Sequence, residues 1–269
     1  MVTDHSKKTY GPVGRCIYCG STKELQREHI VPFSIGGNHQ ILPKSSCADC
    51  AKITHDFETV CVQKAYGVMR DQFQFPSRSK IRSKQVGVTK TPGPFRPFAV
   101  PVYDFPGLLC EQPKAPLPSE IDFMTIIPLL SGTPPPPVST YQTDAYAFAR
   151  MLAKIGYGFA VAQYGIDRIA PDLVPYILGT DQDIAYVVGK SDRPFPPVEQ
   201  PLRTDSHGNL TIEPFLLESM IYDYNGRRLL VIRIQLFRFM NAPTHNVVVC
   251  HANNDLISLV LGPDHPLIR

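Results

Sequence analysis

Cys16-x2-Cys19 and Cys47-x2-Cys50, separated by 27 residues, constrain this chain more than any other feature. Each CxxC predicts a tight knuckle that presents two thiolates to one ion. Four thiolates complete the tetrahedral shell that Zn²⁺ prefers, at about 2.3 Å. A stretch this short has little apolar core of its own, so a bound metal would help hold it together. A thiol–disulfide pair is the competing reading. One CxxC would serve for that, however, and no thioredoxin-like βαβ pattern surrounds either pair. Of the seven cysteines, Cys61, Cys110 and Cys250 lack a partner at metal spacing and read as small buried hydrophobes.

The rest of the chain is long enough for one or two folded units. Its 269 residues are 43% hydrophobic and 19% charged, which permits a sizeable core and excludes wholesale disorder. The net charge of +3 conceals an asymmetry: residues 1–90 carry +7 and residues 91–269 carry −4. A basic front end suits a polyanion. No stretch approaches the roughly 20 apolar residues of a membrane span, and no apolar signal core follows the first charges. A soluble, cytoplasmic protein without a membrane partner is expected.

Three zones are expected. Residues 1–75 hold the cysteine frame. Residues 76–138 form a connector, because 13 of the 46 residues from 92 to 137 are proline, a density that forbids long helices and central strands. Phe95, Phe98, Tyr103 and Phe105 would let that connector pack on a neighbour. Residues 139–269 read as an α+β domain, a helix on an antiparallel sheet. Thr143 or Asp144 offers an N-cap and Gly165 a stop. Between them Ala147, Met151, Ile155, Phe159 and Tyr164 recur at helical spacing. A short helix or turn is expected at 171–178 and a strand at 184–189. Two apolar runs flank Asn225-Gly226, the strongest short hairpin signal, and residues 245–250 could pair beside them.

Inside the cysteine frame lie Glu28-His29-Ile30-Val31-Pro32, then Gly36-Gly37 and Asn38, before Cys47 and Cys50 open a helix. In order and spacing, residues 14–60 resemble the HNH, or ββα-metal, nuclease family. The resemblance implies a zinc-stabilised, treble-clef-like ββα module that hydrolyses phosphodiester bonds. It makes His29 the general base and Glu28 a ligand of a catalytic divalent ion, Mg²⁺ or Mn²⁺. Asn38 would pin the loop that aligns the base, with His39 as a substitute. Many members carry a metal-binding residue directly after the second CxxC, where this chain has Ala51. His55, one helical turn later on the same face, would take its place, with Asp56 or Glu58 nearby.

Residues 76–90 contain Arg78, Lys80, Arg82 and Lys84 at period two, with no acid among them. On an extended chain these face one way and could follow a phosphate backbone, although a solvated charge run has the same composition. The expected function is therefore a metal-dependent endonuclease acting on nucleic acid, with DNA the expected substrate. The alternative is a non-catalytic zinc-finger nucleic-acid-binding protein with a degenerate HNH site.

Overall fold

A computed structural model describes residues 3–4, 8–35, 40–62, 145–181, 187–191, 195–196, 214–238, 244–263 and 265, together with three short ladders. The architecture is mixed α+β. Its first strand, β1 (Thr3–Asp4), is followed by β2 (Lys8–Thr9), β3 (Gln26–His29) and β4 (Gln40–Ser46). In this small sheet β4 is central, parallel to β2 and antiparallel to β3. Helix α1 (Ala48–Val60) follows β4 after one residue, Cys47, whose extended backbone (φ −80°, ψ 166°) ends the strand and caps the helix. Cys50, Thr54 and Phe57 recur at helical spacing, so α1 turns one face inward.

Beyond the connector, α2 (Ala145–Tyr164) is the spine of the molecule. It runs between the cysteine-bearing unit and the larger sheet and is buried on nearly every side. The sequence predicts an apolar stripe at Ala147, Met151, Ile155, Phe159 and Tyr164, and all five are buried. Phe148, Leu152, Ala153, Tyr157 and Ala160 are buried as well, because α2 has a neighbour on both sides. Each large apolar side chain withdrawn here contributes about 1.5–3 kcal/mol. Gly156 lets α2 approach the larger sheet, since a Cβ there would lie 2.9 Å from Val247 Cγ1. The helix stops where Gly165 adopts φ +86°. A 3-10 turn at Pro171–Leu173 then leads into the short helix α3 (Val174–Leu178). Arg150 donates from α2 to the Ile177 carbonyl of α3 and lies over the Phe57 ring of α1.

The larger sheet contains β5 (Val188–Lys190), β6 (Phe215–Tyr224), β7 (Arg227–Leu236) and β8 (Thr244–His251), in the order β1-β6-β7-β8-β5 with every pair antiparallel. The β6–β7 hairpin turns at Asn225 (φ 53°) and Gly226 (φ 77°), two successive left-handed residues as a type I′ turn requires. Helix α4 (Asn254–Leu261) packs on β6 after Asn253 caps it, accepting from the Leu256 amide at 2.9 Å. Short antiparallel ladders join Val86–Gly87 to Ala99–Val100, Glu120–Asp122 to Thr140–Gln142, and Arg203–Thr204 to Leu210–Thr211.

The first and last zones are not separate in space. One apolar cluster runs from Cys16, Ile30 and Leu42 through α2 to Ile232 and Val247. β1 also covers the edge of β6, supplying backbone partners to a strand that would otherwise present an open edge.

Candidate functional site

The four knuckle cysteines converge. In the first knuckle the Cys16 amide donates to the Ser21 carbonyl at 2.7 Å, and the Gly20 amide returns to the Cys16 carbonyl at 2.9 Å. Gly20 has φ +75°, so the tight reversal needs glycine there. The Ile17 amide bonds the Ser45 carbonyl at 2.8 Å, tying this knuckle to β4. The second knuckle is the start of α1. All four Sγ atoms lie within 4.8 Å of one another, and those of Cys19 and Cys47 are 3.5 Å apart. Tetrahedral zinc at about 2.3 Å from each sulfur requires sulfurs about 3.8 Å apart, so this donor set fits the ion. Burial pushes the Cys16 and Cys50 thiols up, whereas the Ser21 backbone bond draws that of Cys19 down. Thiols this close favour ionisation only with a cation among them. The cluster can hold a metal ion.

β3 begins beside this centre, where Gln26 opposes Ser46, the residue before Cys47. Its pairing with β4 is irregular between Gln26 and Glu28, after which Glu28 opposes Leu42 and His29 opposes Ile41. Adjacent strand residues face opposite ways. Glu28 turns inward and is buried. His29 is half-buried, its ring edge-on to Phe33 with centroids 5.5 Å apart.

Where Glu28 points inward it meets α2. Lys154 Nζ lies 2.6 Å from Glu28 Oε1 and 2.8 Å from Glu58 Oε1 of α1. It also donates to the His29 carbonyl and, at 3.3 Å, to that of Ile30. Lys154 is 0% exposed. Desolvation pulls its ammonium down, but the charges of Glu28 and Glu58 outweigh this and leave it raised. Glu58 is also raised, first by desolvation and then by Glu28, against the opposing pull of Lys154. Tyr18 completes the cluster: burial, then Glu28 and Glu58, hold its phenol well above its ordinary range. Its hydroxyl has no hydrogen-bond partner among the described residues, and Glu58 Oε1 is ion-paired without hydrogen-bond alignment.

The remaining sequence-derived candidates divide between places. His55 lies exposed on α1, with Nε2 3.3 Å from Thr59 Oγ1. Among the described residues the four cysteines are the one set of three or more metal-ligating side chains whose donor atoms converge. Glu28 and His55 belong to no such set among the described residues. Gly36, Gly37, Asn38 and His39 lie outside the described residues, as do Arg78, Lys80, Arg82, Lys84 and Cys110. Cys61 and Cys250 are buried, and burial pushes the Cys250 thiol up to about 11. Among the described residues no helix is long and apolar enough to cross a membrane.

Lys154 and Tyr18 were not candidates on sequence grounds. Lys154 stands seven residues after Ala147 and three after Met151, so it falls on the stripe expected to be apolar. A lysine in such a position is rarely buried without a charged partner, and that mismatch was the available signal. The chain matches none of the protein-family models, curated proteins or solved structures with which it was compared.

Proposed function

We propose that this protein is an HNH-type endonuclease whose ββα unit is built on a structural zinc. What supports the reading most is one juxtaposition. Two antiparallel strands and a helix, β3-β4-α1, carry the four-thiol cluster at their base and Glu28-His29 at the end of β3. Zn²⁺ on Cys16, Cys19, Cys47 and Cys50 would fix the first knuckle to the start of α1, and through Ser45 to β4. In the proposed chemistry His29 takes a proton from water, the water oxygen attacks phosphorus, and the bond to the leaving 3′ oxygen breaks. Histidine suits this role because its ordinary pKa lies close to neutral pH. The requirement for Mg²⁺ or Mn²⁺ comes from the family resemblance. The resemblance gives its ligands as Glu28, which Lys154 pairs, and His55, which is exposed on α1. The positive charge of residues 1–90 suits a nucleic-acid substrate, with DNA the first to test.

A second reading has its own observation. Lys154 already neutralises Glu28, and Ala51 follows the second CxxC, as in a zinc-built nucleic-acid-binding unit without catalysis. Cleavage of plasmid DNA and of RNA, wild type beside His29→Ala, separates the two. The nuclease cleaves and the variant does not, whereas the binding protein retains nucleic acid on a filter and leaves it intact.

A further inference from the structure

We infer that Lys154 is a positioning residue for His29, so that the helix packed behind the ββα unit is part of the site. This rests on the nuclease reading above. The observation is the convergence of four oxygens on one buried ammonium, one from each of the Glu28 and Glu58 carboxylates and one from each of the main-chain carbonyls of His29 and Ile30. Nζ is wholly withdrawn from solvent and cannot touch a substrate. It acts instead on the backbone that carries the imidazole. β3 has only four residues, its pairing with β4 is irregular before Glu28, and one further bond, from the Ile30 amide to the Gln40 carbonyl at 3.1 Å, follows it. The ladder alone is therefore a short support for a general base. Lys154 adds a charged clamp at the point where the strand ends, holding the carbonyls of two successive peptides, His29–Ile30 and Ile30–Val31.

The same approach is seen at Gly158. One turn beyond Lys154, an added Cβ there would lie 3.9 Å from the Ile30 side chain, so α2 lies directly against the end of β3. Glu58 comes from α1, and Tyr18, from the first knuckle, contributes a hydroxyl that stays neutral. A lysine needed only to balance Glu28 would not have to reach the His29 carbonyl. The position of Nζ joins the charge balance of the cluster to the placement of the imidazole.

The test is Lys154→Met in the full chain, loaded with zinc, with two readouts. One is the imidazole NMR signals of His29 and their pH titration. The other is kcat and KM for plasmid cleavage with Mg²⁺ or Mn²⁺. Positioning predicts shifted or broadened His29 signals and a kcat reduced by up to about 10²-fold, as for a displaced base, with KM within about threefold. Unchanged His29 signals and kcat in the folded variant would overturn the inference. If wild type cleaves nothing but His29 signals still move, the nuclease reading fails and the positioning contact stands. Should the Met variant lose its zinc, Lys154→Arg replaces it. The charge is then kept, but a planar guanidinium cannot put one nitrogen on both carboxylates and the His29 carbonyl. Shifted His29 signals at wild-type zinc content support the inference, and unmoved signals contradict it.

Discussion

Lys154 Nζ stands 2.6 Å from Glu28 Oε1, joining the spine helix α2 to the end of β3 with both side chains withdrawn from solvent. Glu58 Oε1 lies 2.8 Å from the same nitrogen, so one cation serves two buried carboxylates. Removing that cation strands both. Lys154→Ala should therefore cost about 3–5 kcal/mol, the usual penalty for leaving a buried charge without its partner. Urea denaturation at constant zinc measures it, and a loss below about 1 kcal/mol would mean that water reaches the cluster.

Glu58 gives this cluster a pH signature. Its folded pKa is raised above the ordinary 4.5, first by desolvation. A raised carboxyl favours the folded state while it is protonated. That contribution is fully present below 4.5 and is lost as pH rises through the folded value. Glu58→Gln keeps a neutral group at every pH. The stability of wild type relative to the variant should therefore fall as pH rises from 4.5, and a difference that rises with pH would contradict the ionisation assigned to Glu58.

Much of the framework is legible in the sequence, because the signals concerned are local. Asn225-Gly226 can take two left-handed conformations in succession, and the ten-residue strands on either side pair in full register. Gly165 stops α2 where it should, and the CxxC pairs bring their sulfurs together across 27 intervening residues. What is not legible is set by distance along the chain. Nothing in Thr3–Asp4 announces that they extend the larger sheet beside β6, since an edge pairing needs only backbone. Of the strand expected at 184–189, Val188 and Gly189 pair with β8 within Val188–Lys190, and residues 184–186 lie outside the described residues. Asn253 does carry a cap signal for α4, with Leu256, Ile257 and Val260 behind it. Glu28 reads as a ligand beside His29, and nothing local announces the lysine that it pairs with, 126 residues away on α2.

The two glycines of α2 that face opposite neighbours should respond with opposite signs. Gly156→Ala places a Cβ 2.9 Å from Val247 Cγ1, on a stiff β-branched side chain, and should cost about 1–3 kcal/mol. Gly158→Ala meets Ile30 at an ordinary 3.9 Å and should gain up to about 1 kcal/mol from helix propensity. Thermal melts of the pair check the placement of α2. Equal effects would mean that it does not pass this closely between β8 and β3.

The four-thiol cluster predicts about one tightly held Zn²⁺ per chain. Cys47→Ser should lose the metal and loosen residues 14–60, where β3, β4 and α1 depend on the two knuckles. Elemental analysis reads the first effect and amide hydrogen exchange the second. Full zinc retention in that variant would remove Cys47 from the ligand set.

The most direct measurement is cleavage of plasmid DNA and of RNA by zinc-loaded protein with Mg²⁺ or Mn²⁺, wild type against His29→Ala. Wild type should cleave the backbone, and the variant should do so at least about 100-fold more slowly with zinc content and melting unchanged, as losing a general base implies. Cleavage that survives intact in His29→Ala, or a wild type that binds nucleic acid and never cuts it, would contradict the account.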